Sequence, residues 1–247
     1  MSMLVSIPIL SGVSDSWAHG HNTEQMMTTG QDEGLSSGDE SMEEMSENVS
    51  DPLEGWNRFM FGLNDLIYFG IIRPISRVYA ALAPEGLRIA VRNFFHNLEM
   101  PRHFISALFQ GDIRGAGREI GRFGINTVLG LGFFDVAKDQ FDMESGDEDI
   151  GQVLGNMGVG DSLYLVWPLV GPSNLRDTVG LVGDTLLSPL TYYPKDDWAR
   201  VAVHSFRTIN NTSLRIGEYE DLKEAALDPY ISLRDAYLKM RQKKISE

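Results

Sequence analysis

The chain of 247 residues is long enough for one domain of ordinary size with an additional tail. Its formal net charge of −14 is unevenly distributed, because residues 1–50 hold nine of the 35 acidic residues and no Lys or Arg. The body from residue 51 onward therefore carries 26 acidic and 21 basic residues, a formal charge of −5. A protein that binds nucleic acid needs a basic face, and none dominates here, so the composition argues against a nucleic-acid partner.

The first fifty residues divide into two segments. Residues 1–18 contain an apolar stretch, residues 4–13, that is too short to span a bilayer but resembles the middle of a secretory signal. Small residues at 16–18 fit a cleavage site, whereas the usual positive start is missing, so the predicted signal segment is incomplete. Residues 19–50 are poor in large apolar side chains, and we expect a disordered acidic linker there. A partner-binding acidic tail is the alternative.

A complete helix-start signal begins at Asp51. The Asp51 side chain is able to cap free backbone N–H groups, Pro52 sits where no N–H is needed, and Glu54 is placed to bond back to the cap residue. Apolar residues follow at helical spacing and predict one broad apolar face: Leu53, Trp56, Phe59, Met60, Leu63, Leu66 and Ile67. Asn57 and Arg58 lie beside that face, and no local pairing accounts for them. An ordinary amphipathic core helix is the simplest interpretation.

The same segment opens a longer resemblance. Asp51-Pro52-Leu53-Glu54-Gly55-Trp56-Asn57-Arg58 resembles the signature of the MlaA family, also called VacJ, of outer-membrane phospholipid-transport lipoproteins. Further short pieces follow at spacings similar to that family: Arg73-Pro74, Asn93-Phe94, Asn97 to Pro101, Gln110 to Asp112, Arg122 to Thr127, Leu129 to Phe133, Gly155 to Gly160, Pro172 to Asp177 and Asp228 to Tyr230. The resemblance covers residues 51–240, which we interpret as one helical domain, with residues 241–247 as a C-terminal tail.

The resemblance implies both a fold and a function. Members of this family form a ring of short helices with a central channel, seated in the inner leaflet of the outer membrane beside trimeric porins. They pass mislocalised outer-leaflet phospholipid to a periplasmic carrier, which maintains lipid asymmetry, and they need no cofactor. We therefore expect the chain at the periplasmic face of the outer membrane, with phospholipid, a porin and a carrier as partners. The chain departs from the family pattern because it has no Cys, the residue on which family members are lipidated.

Proline residues divide the body into short helical segments. Pro74, Pro84 and Pro101 each stand where the first turn of a helix tolerates proline. Later helices are predicted for residues 174–187, 197–213 and 229–243. One extended segment, residues 163–168, is ended by a proline. The pattern predicts a mainly α fold of short amphipathic helices, for which the resemblance implies the ring-like array with a central channel.

The helix that Asp112 introduces carries two patterns. Three glycines at small spacing, Gly117, Gly121 and Gly124, predict a face on which another helix packs closely. A stripe of arginines recurs every four residues: Arg114, Arg118 and Arg122. A solvated face is the simplest interpretation of this stripe. The alternative is contact with lipid phosphate groups, which a guanidinium grips with two hydrogen bonds.

A seven-residue apolar run follows that helix, with the apolar side chains Val128, Leu129, Leu131, Phe133 and Phe134. Gly130 and Gly132 weaken both helix and strand, yet the run is too apolar for a hydrated loop. A buried connector and a flexible apolar hairpin or gate that touches lipid both fit the pattern. The run resembles the family's hairpin beside the central channel, which favours the gate.

One short motif indicates catalysis. Gly160-Asp161-Ser162-Leu163 matches the nucleophile block of a lipase-like hydrolase family, whose serine needs a histidine base oriented by an acid. His204 is the one downstream histidine, and Val201 stands where that family has its aspartate. Histidines paired at metal-ligand spacing are also missing. We therefore predict no enzyme and no metal site. A lipid-passage protein is the first hypothesis, a non-conducting membrane-associated adaptor the second, and a lipid hydrolase the third.

Overall fold

The computed structural model describes residues 51–146, 149–160 and 163–246, and most of these are helical, which confirms the predicted mainly α fold. The elements in chain order are α1 (Glu54–Ile67), α2 (Arg73–Leu82), α3 (Glu85–Leu98), α4 (Met100–Gln110), α5 (Ile113–Val128), α6 (Val136–Phe141), α7 (Ile150–Asn156), β1 (Tyr164–Trp167), β2 (Gly171–Asn174), α8 (Leu175–Leu187), α9 (Asp197–Ser213), α10 (Glu218–Ala225) and α11 (Pro229–Ser246). The predicted signal segment, the acidic linker and Ser162 lie outside the described residues.

Helices α1 and α2 form one continuous helix, so the prediction of a separate helix beginning at Pro74 is wrong. A π-helical turn, Tyr68–Ile72, joins them, and the Arg73 N–H donates to the Tyr68 carbonyl five residues earlier. Pro74 has no N–H, and its ring crowds the carbonyl four residues before it. A wider turn just before the proline relieves this conflict, which explains why the helix continues.

Several other helix starts are confirmed. Pro84 is the N-cap residue of α3, and Pro101 lies at the second position of α4, where its missing N–H costs nothing. The Asp112 side chain accepts a hydrogen bond from the Gly115 N–H at 2.9 Å and caps α5. In the same way Asn174 caps α8, at the end of the strand that precedes it.

Strands β1 and β2 form a small antiparallel hairpin, with Tyr164 opposite Asn174 and Trp167 opposite Gly171. The predicted extended segment is therefore confirmed, and it ends where Pro168 follows. The apolar core is small and lies where this hairpin meets α1 and α11. Its buried members are Met60, Tyr164, Val166, Tyr230 and Tyr237.

The C-terminal residues are part of the domain, so the predicted tail at 241–247 is wrong for its described part. Helix α11 continues to Ser246, and Arg241 is buried. Its guanidinium donates to Asp149 at 2.6 and 3.0 Å and to Asp177 at 2.7 and 2.8 Å. These bonds connect α11 to the starts of α7 and α8, because Asp149 is the N-cap residue of α7 and Asp177 lies in the first turn of α8.

No single helix in the described ranges is long and apolar enough to cross a bilayer. The continuous helix Glu54–Leu82 and α3 pass that test as a pair, although the pair is bent by 119°. A bent apolar pair is also the geometry of a segment that enters and leaves a membrane on one side.

Candidate functional site

Outside the small apolar core, many polar side chains are buried and many large apolar side chains are exposed, which is unusual for a protein in water. The largest side chains that are fully buried are all polar: His103, Asn57, Asn174, Asn210, Ser76 and Ser106. Large apolar side chains are instead exposed on several helices. We name the following group the exposed apolar set: Trp56, Phe59, Leu66, Ile75, Val78, Leu82, Val179, Val182, Leu186, Trp198 and Val201. Single exposed apolar residues are normal in soluble proteins, but so many on successive helix turns mark an apolar environment or partner.

The apolar face predicted for α1 is only partly a core face, because Leu63 packs against the core while other members are exposed. Met60 is buried, whereas Trp56, Phe59 and Leu66 are exposed by 47, 65 and 69 %. The apolar periodicity correctly predicts the helix. The exposed apolar side chains of that helix, however, are not covered by other parts of this chain.

Asp51 and Asn57 of the predicted signature hydrogen-bond to other elements of the fold. The prediction that Asp51 caps α1 is wrong, because α1 has no side-chain cap. The Asp51 carboxylate accepts hydrogen bonds from the Asn57 amide at 2.9 Å and from the Tyr230 hydroxyl. Asn57 also donates to the Tyr164 carbonyl at 3.1 Å and accepts from the Val166 N–H at 2.8 Å. The Asn57 amide thus satisfies backbone groups of β1 that a neighbouring strand would otherwise satisfy.

Asn64 repeats this arrangement two helical turns later. Its amide donates to the Trp167 carbonyl at 2.9 Å and accepts from the Leu169 N–H at 2.7 Å. Asn64 is not among the predicted site residues, although an amide seven residues after Asn57 on the same helix is a detectable signal. Together the two amides attach α1 along the length of β1.

Arg58 has a local partner, contrary to the expectation from the sequence. Its Nε lies 2.7 Å from Glu54, its Nη2 lies 2.8 Å from Asp228, and its guanidinium carbon lies 4.5 Å from the ring centroid of Tyr230. Glu54 therefore pairs with Arg58 and does not bond back to the helix start. The hydrogen bond from Arg58 holds the pKa of the Asp228 carboxyl below its ordinary value. Both pairs are largely exposed, so they orient the helix ends more than they stabilise the fold.

The remaining signature residues face outward or are half-buried. Pro52 and Trp56 are exposed, and Leu53 is half-buried. The signature therefore combines residues that hydrogen-bond to other elements with part of the exposed apolar set.

The apolar run forms a closed turn between α5 and α6, residues 129–134, which we name the apolar turn. It contains no paired strands, so the predicted hairpin is instead a helix-to-helix turn. The Phe133 and Phe134 N–H groups both donate to the Gly130 carbonyl, at 2.9 and 3.1 Å. A Cβ on Gly130 would lie 2.3 Å from the Phe134 carbonyl oxygen and 2.7 Å from that of Asn126, so only glycine fits there.

The side chains around the apolar turn point away from the protein, which rules out the buried connector. Val128 and Leu131 are each 74 % exposed, and Leu129 and Phe134 are 61 and 60 % exposed. Phe133 is less exposed because its ring stacks on Phe94 at a centroid distance of 4.9 Å. A rigid, hydrogen-bonded backbone therefore presents a cluster of apolar side chains to the surroundings.

A polar clasp made by Arg122, Asn126 and Asp135 closes the base of this turn. The Asp135 carboxylate accepts from Arg122 at 2.8 and 3.0 Å and from Asn126 at 2.9 Å. The Asn126 oxygen accepts from the Ala137 N–H at 2.9 Å, and Arg122 also donates to the Met143 carbonyl. Burial raises the pKa of the Asp135 carboxyl, but the hydrogen bonds from Asn126 and Arg122 outweigh this, and the pKa is lowered.

The clasp corrects one predicted headgroup contact. Arg122 is 3 % exposed and satisfied by protein partners, so it is not available to a lipid phosphate. Arg114 and Arg118 are exposed and have no ion-pair partner among the described residues. The predicted close packing at Gly117 and Gly124 is also wrong, because a Cβ at either position would meet nothing within 4 Å.

A buried charge network connects α4 with α8 and α9. The Glu99 carboxylate accepts from Arg207 at 2.5 Å and from Arg102 at 3.5 Å, while Arg102 lies 3.9 Å from Asp184. Asp184 also accepts from the Ile150 N–H at 3.2 Å. Burial, together with the neighbouring carboxylates, raises the pKa of Asp184 to about 7 despite the attraction of Arg102. No spacing in the sequence indicated this network, since its members come from four helices and one connection.

The predicted catalytic alternative has little support in the described ranges. Burial and the nearby Arg207 lower the pKa of His204. No group of three or more His, Asp or Glu side chains in those ranges is arranged to hold a metal ion. The described site is therefore an arrangement of surfaces, with polar groups inside and apolar groups outside.

An apolar exterior around a hydrogen-bonded polar interior is the arrangement of a membrane-associated helical protein. A solved structure from work on the structural basis for maintenance of bacterial outer membrane lipid asymmetry has the same fold, with a TM-score of 0.69 and 32 % identity, and the match covers 79 % of this chain and 99 % of that one.

Sequence comparison places the chain in a family. The profile of the MlaA lipoprotein matches residues 49–244, and the chain belongs to this family. The intermembrane phospholipid transport system lipoprotein MlaA of Shigella flexneri is 33 % identical over 196 residues, which covers 76 % of this chain and 75 % of the relative. That of Escherichia coli K12 is 32 % identical with the same coverage. An uncharacterized protein of Rickettsia bellii is 31 % identical and covers 78 % of this chain and 76 % of its own length.

Proposed function

We propose that this protein transports phospholipid between membranes. In this role it removes mislocalised phospholipid from the outer leaflet of the outer membrane and passes it to a periplasmic carrier, which maintains lipid asymmetry. The family and the names of the relatives from Shigella flexneri and Escherichia coli support intermembrane phospholipid transport. The observation that carries the proposal is the extent of the exposed apolar set on successive helices, while polar side chains such as Asn57, His103 and Asn210 are buried.

The physical problem in lipid transport is the cost of exposing acyl chains to water. Two acyl chains with about thirty methylene groups cost on the order of 25 kcal/mol at roughly 0.8 kcal/mol each. A protein must therefore offer a continuous path with an apolar side for the chains and a polar side for the headgroup. The exposed apolar set supplies apolar contact with the bilayer, and we place the headgroup in a central channel through the ring of helices.

The apolar turn serves as the gate of this path. Its side chains are exposed while Gly130 and the polar clasp hold its backbone, so Leu131 and Phe134 touch acyl chains without unfolding the turn. Transport of this kind breaks no covalent bond. It needs no nucleophile, metal or cofactor in this chain, and we assign no catalytic role to any residue.

We place the protein at the periplasmic face of the outer membrane, seated in the inner leaflet beside a trimeric porin. Short amphipathic helices lie in a membrane interface when one face is apolar, and α8 and α9 have such faces. The exposed aromatic side chains Tyr192, Tyr193 and Trp198 suit the headgroup region of a bilayer. There the polar end of each aromatic side chain contacts water while its apolar part contacts lipid.

Complementation tests the proposal. The full chain is expressed in a Gram-negative host that lacks its own family member, and aminophospholipid at the cell surface is labelled with a membrane-impermeant amine reagent. We expect labelling to fall to the level of the host with its own protein. A folded, membrane-bound chain that leaves labelling high would favour the non-conducting adaptor. The Ser162→Ala variant is the matched control for hydrolysis, and a loss of rescue in this variant would revive the hydrolase.

A further inference from the structure

Helix α8 is held to the described part of the fold by one face. Its opposite face carries four large apolar side chains that are 54 to 59 % exposed: Leu175, Val179, Val182 and Leu186. At about 100° per residue these four lie within about 60° of one another, and Asp177, Gly180 and Asp184 lie on the reverse side. The contacts of those three inner residues therefore determine where α8 lies.

Helices α7 and α8 cross where Gly180 meets Gly151. A Cβ on Gly180 would lie 2.3 Å from the Gly151 backbone nitrogen, so the two backbones are in direct contact at this point. Asp177 comes before the crossing and Asp184 comes after it. The two carboxyl groups are about 10 Å apart along the helix axis, and each one attaches one half of α8 to the fold.

The attachment at Asp177 is strong. Its carboxylate accepts hydrogen bonds from Arg241 at 2.7 and 2.8 Å, from Arg176 at 3.1 Å and from the Tyr237 hydroxyl at 2.5 Å. Arg241 and Tyr237 both belong to α11, so the first half of α8 is fixed to the C-terminal helix. The two guanidinium groups also balance the charge of the carboxylate.

The attachment at Asp184 is weak. Its side chain is 12 % exposed, and among the described residues it accepts one hydrogen bond, from the Ile150 N–H at 3.2 Å. The Arg102 guanidinium is 3.9 Å away, too far for a hydrogen bond, and lies closer to Glu99, at 3.5 Å. An ionised Asp184 is therefore a nearly buried charge with one backbone donor, whereas a protonated Asp184 needs no cation.

The groups around Asp184 favour its protonated form. Those that face it are Arg102 on α4, Glu99 just before α4 and Asp149 just before α7, while β2 and the turn Pro189–Thr191 hold no titratable residue. Burial raises the pKa of Asp184 to about 7, the two neighbouring carboxylates act in the same direction, and Arg102 opposes them. The charge of this side chain therefore changes near neutral pH.

We propose that α8 pivots where Gly180 crosses Gly151, and that the Asp184 carboxyl is a proton-dependent latch for the second half of the helix, residues 181–187. With its proton, Asp184 keeps this half against the Ile150 N–H at the start of α7. When the proton is lost, the buried charge is better satisfied by water, and the second half moves away from α7 while Asp177 holds the first half in place.

The pivot makes the bilayer contact of α8 depend on pH. The second half carries Val182 and Leu186 of the exposed apolar set, and the Tyr192 hydroxyl donates to the Leu186 carbonyl at 2.8 Å. These groups move together with the end of the helix. This regulation goes beyond lipid transport, because a proton is the ligand that changes the conformation.

Hydrogen exchange of the full chain in detergent tests the pivot. Protection factors, which correct for the pH dependence of the chemical exchange rate, are measured by mass spectrometry at pH 6 and pH 8. A carboxyl with a pKa of about 7 in the closed form and 3.8 in the open form raises the open fraction about tenfold over this interval. We therefore expect the protection of residues 181–187 to fall about tenfold, while residues 175–179 keep theirs.

Two results in the wild type would overturn the pivot. Equal losses of protection in both halves of α8 would mean that ionisation weakens the whole fold. Constant protection in both halves would mean that the Asp184 proton does not hold the helix.

The Asp184→Asn variant isolates the effect of the proton. Its amide keeps an oxygen for the Ile150 N–H but carries no charge at either pH, so residues 181–187 should stay protected at pH 8. The matched control is Glu224→Gln, which removes a carboxyl from an exposed position on α10 and should retain the wild-type fall. A full wild-type fall in Asp184→Asn would assign the pH response to another group and overturn the latch.

The pivot and the proposed function fail separately. Exchange is measured without transport, so a chain that fails to complement the host and still shows the pH-dependent exchange loses the proposed function and keeps the latch. A chain that complements while residues 181–187 stay protected at pH 8 keeps the proposed function and loses the latch.

Discussion

Two regions of the molecule use polar side chains for opposite purposes. The first is the contact between α1 and β1, and the second is the exposed face of α5. At the first, Asn57 and Asn64 are turned inward, and four hydrogen bonds to backbone groups of β1 and the turn after it satisfy them. At the second, Arg114 and Arg118 are exposed without ion-pair partners in the described ranges. A polar group with protein partners holds the fold together, whereas a polar group without them is free to bind a ligand. The comparison therefore separates structural residues from functional ones.

The largest expected effect is at the structural contact. Asn57→Ala would leave the Val166 N–H, the Tyr164 carbonyl and Asp51 without their partner, and each buried unsatisfied group costs about 1–3 kcal/mol. We expect the free energy of unfolding to fall by about 3–5 kcal/mol, measured by denaturant titration in detergent. Gln242→Ala, at an exposed position of α11, is the control and should change nothing. An Asn57→Ala protein as stable as the control would remove Asn57 from the structural class.

The polar clasp belongs to the structural side although it lies on α5. Arg122→Gln leaves the Asp135 carboxylate without its charge partner, and we expect a loss of about 2–4 kcal/mol. Because the folded pKa of Asp135 is lowered, its stabilising contribution is present above the ordinary value of 3.8 and disappears as the pH falls below it. That loss of stability below pH 4 should be weaker in Arg122→Gln. Identical pH profiles for the two proteins would mean that the clasp contributes nothing.

Asp184 is an interior group whose partners do not fully offset its burial. Its pKa is raised from 3.8 to about 7, so between these values the folded protein retains a proton that the unfolded chain has released. Stability should therefore decrease as the pH rises from 4 to 7. Asp184→Asn removes this titration, and we expect it to be more stable than wild type by at most about 4 kcal/mol at pH 8 and nearly equal at pH 4. A variant less stable than wild type at pH 8 would show that Arg102 compensates the charge.

The smallest expected effect on stability is at the apolar turn. Phe133→Ser with Phe134→Ser removes two largely exposed rings, so we expect less than about 2 kcal/mol of destabilisation, mainly from the lost stacking on Phe94. Lipid transport should fall much further, as measured by surface labelling in the complementation assay. If stability and transport fall together, the two rings belong to the structural class.

The sequence predicted helices well and their surroundings poorly. Prolines and apolar periodicity located most helices, because both act locally on the backbone. They did not show which side of α1 faces the protein, since an apolar face packs equally well against a core or against lipid. The result was an expected core contact for Trp56, Phe59 and Leu66, which are exposed.

The arginines of α5 show why equal spacing does not mean equal environment. Arg114, Arg118 and Arg122 are four residues apart, and each step of four turns the helix by about 40° beyond a full turn. After two steps the side chain has rotated by about 80°, enough to bring Arg122 to Asp135. Its partner Asp135 lies thirteen residues later, beyond three glycines, so local pairing rules do not detect it.

The π-helical turn Tyr68–Ile72 has a consequence for the long helix that contains it. On a regular α-helix, the side chains of Phe59 and Leu66 would be offset on average by roughly 140° from those of Ile75, Val78 and Leu82, at about 100° per residue. The one extra residue of a π turn cancels about one residue's rotation. Both groups therefore lie on one apolar face along all of Glu54–Leu82, as their common exposure indicates. The π-helical turn therefore keeps the apolar side chains before and after it on one face of the helix. Removing one residue from the turn would rotate the second group away from the first.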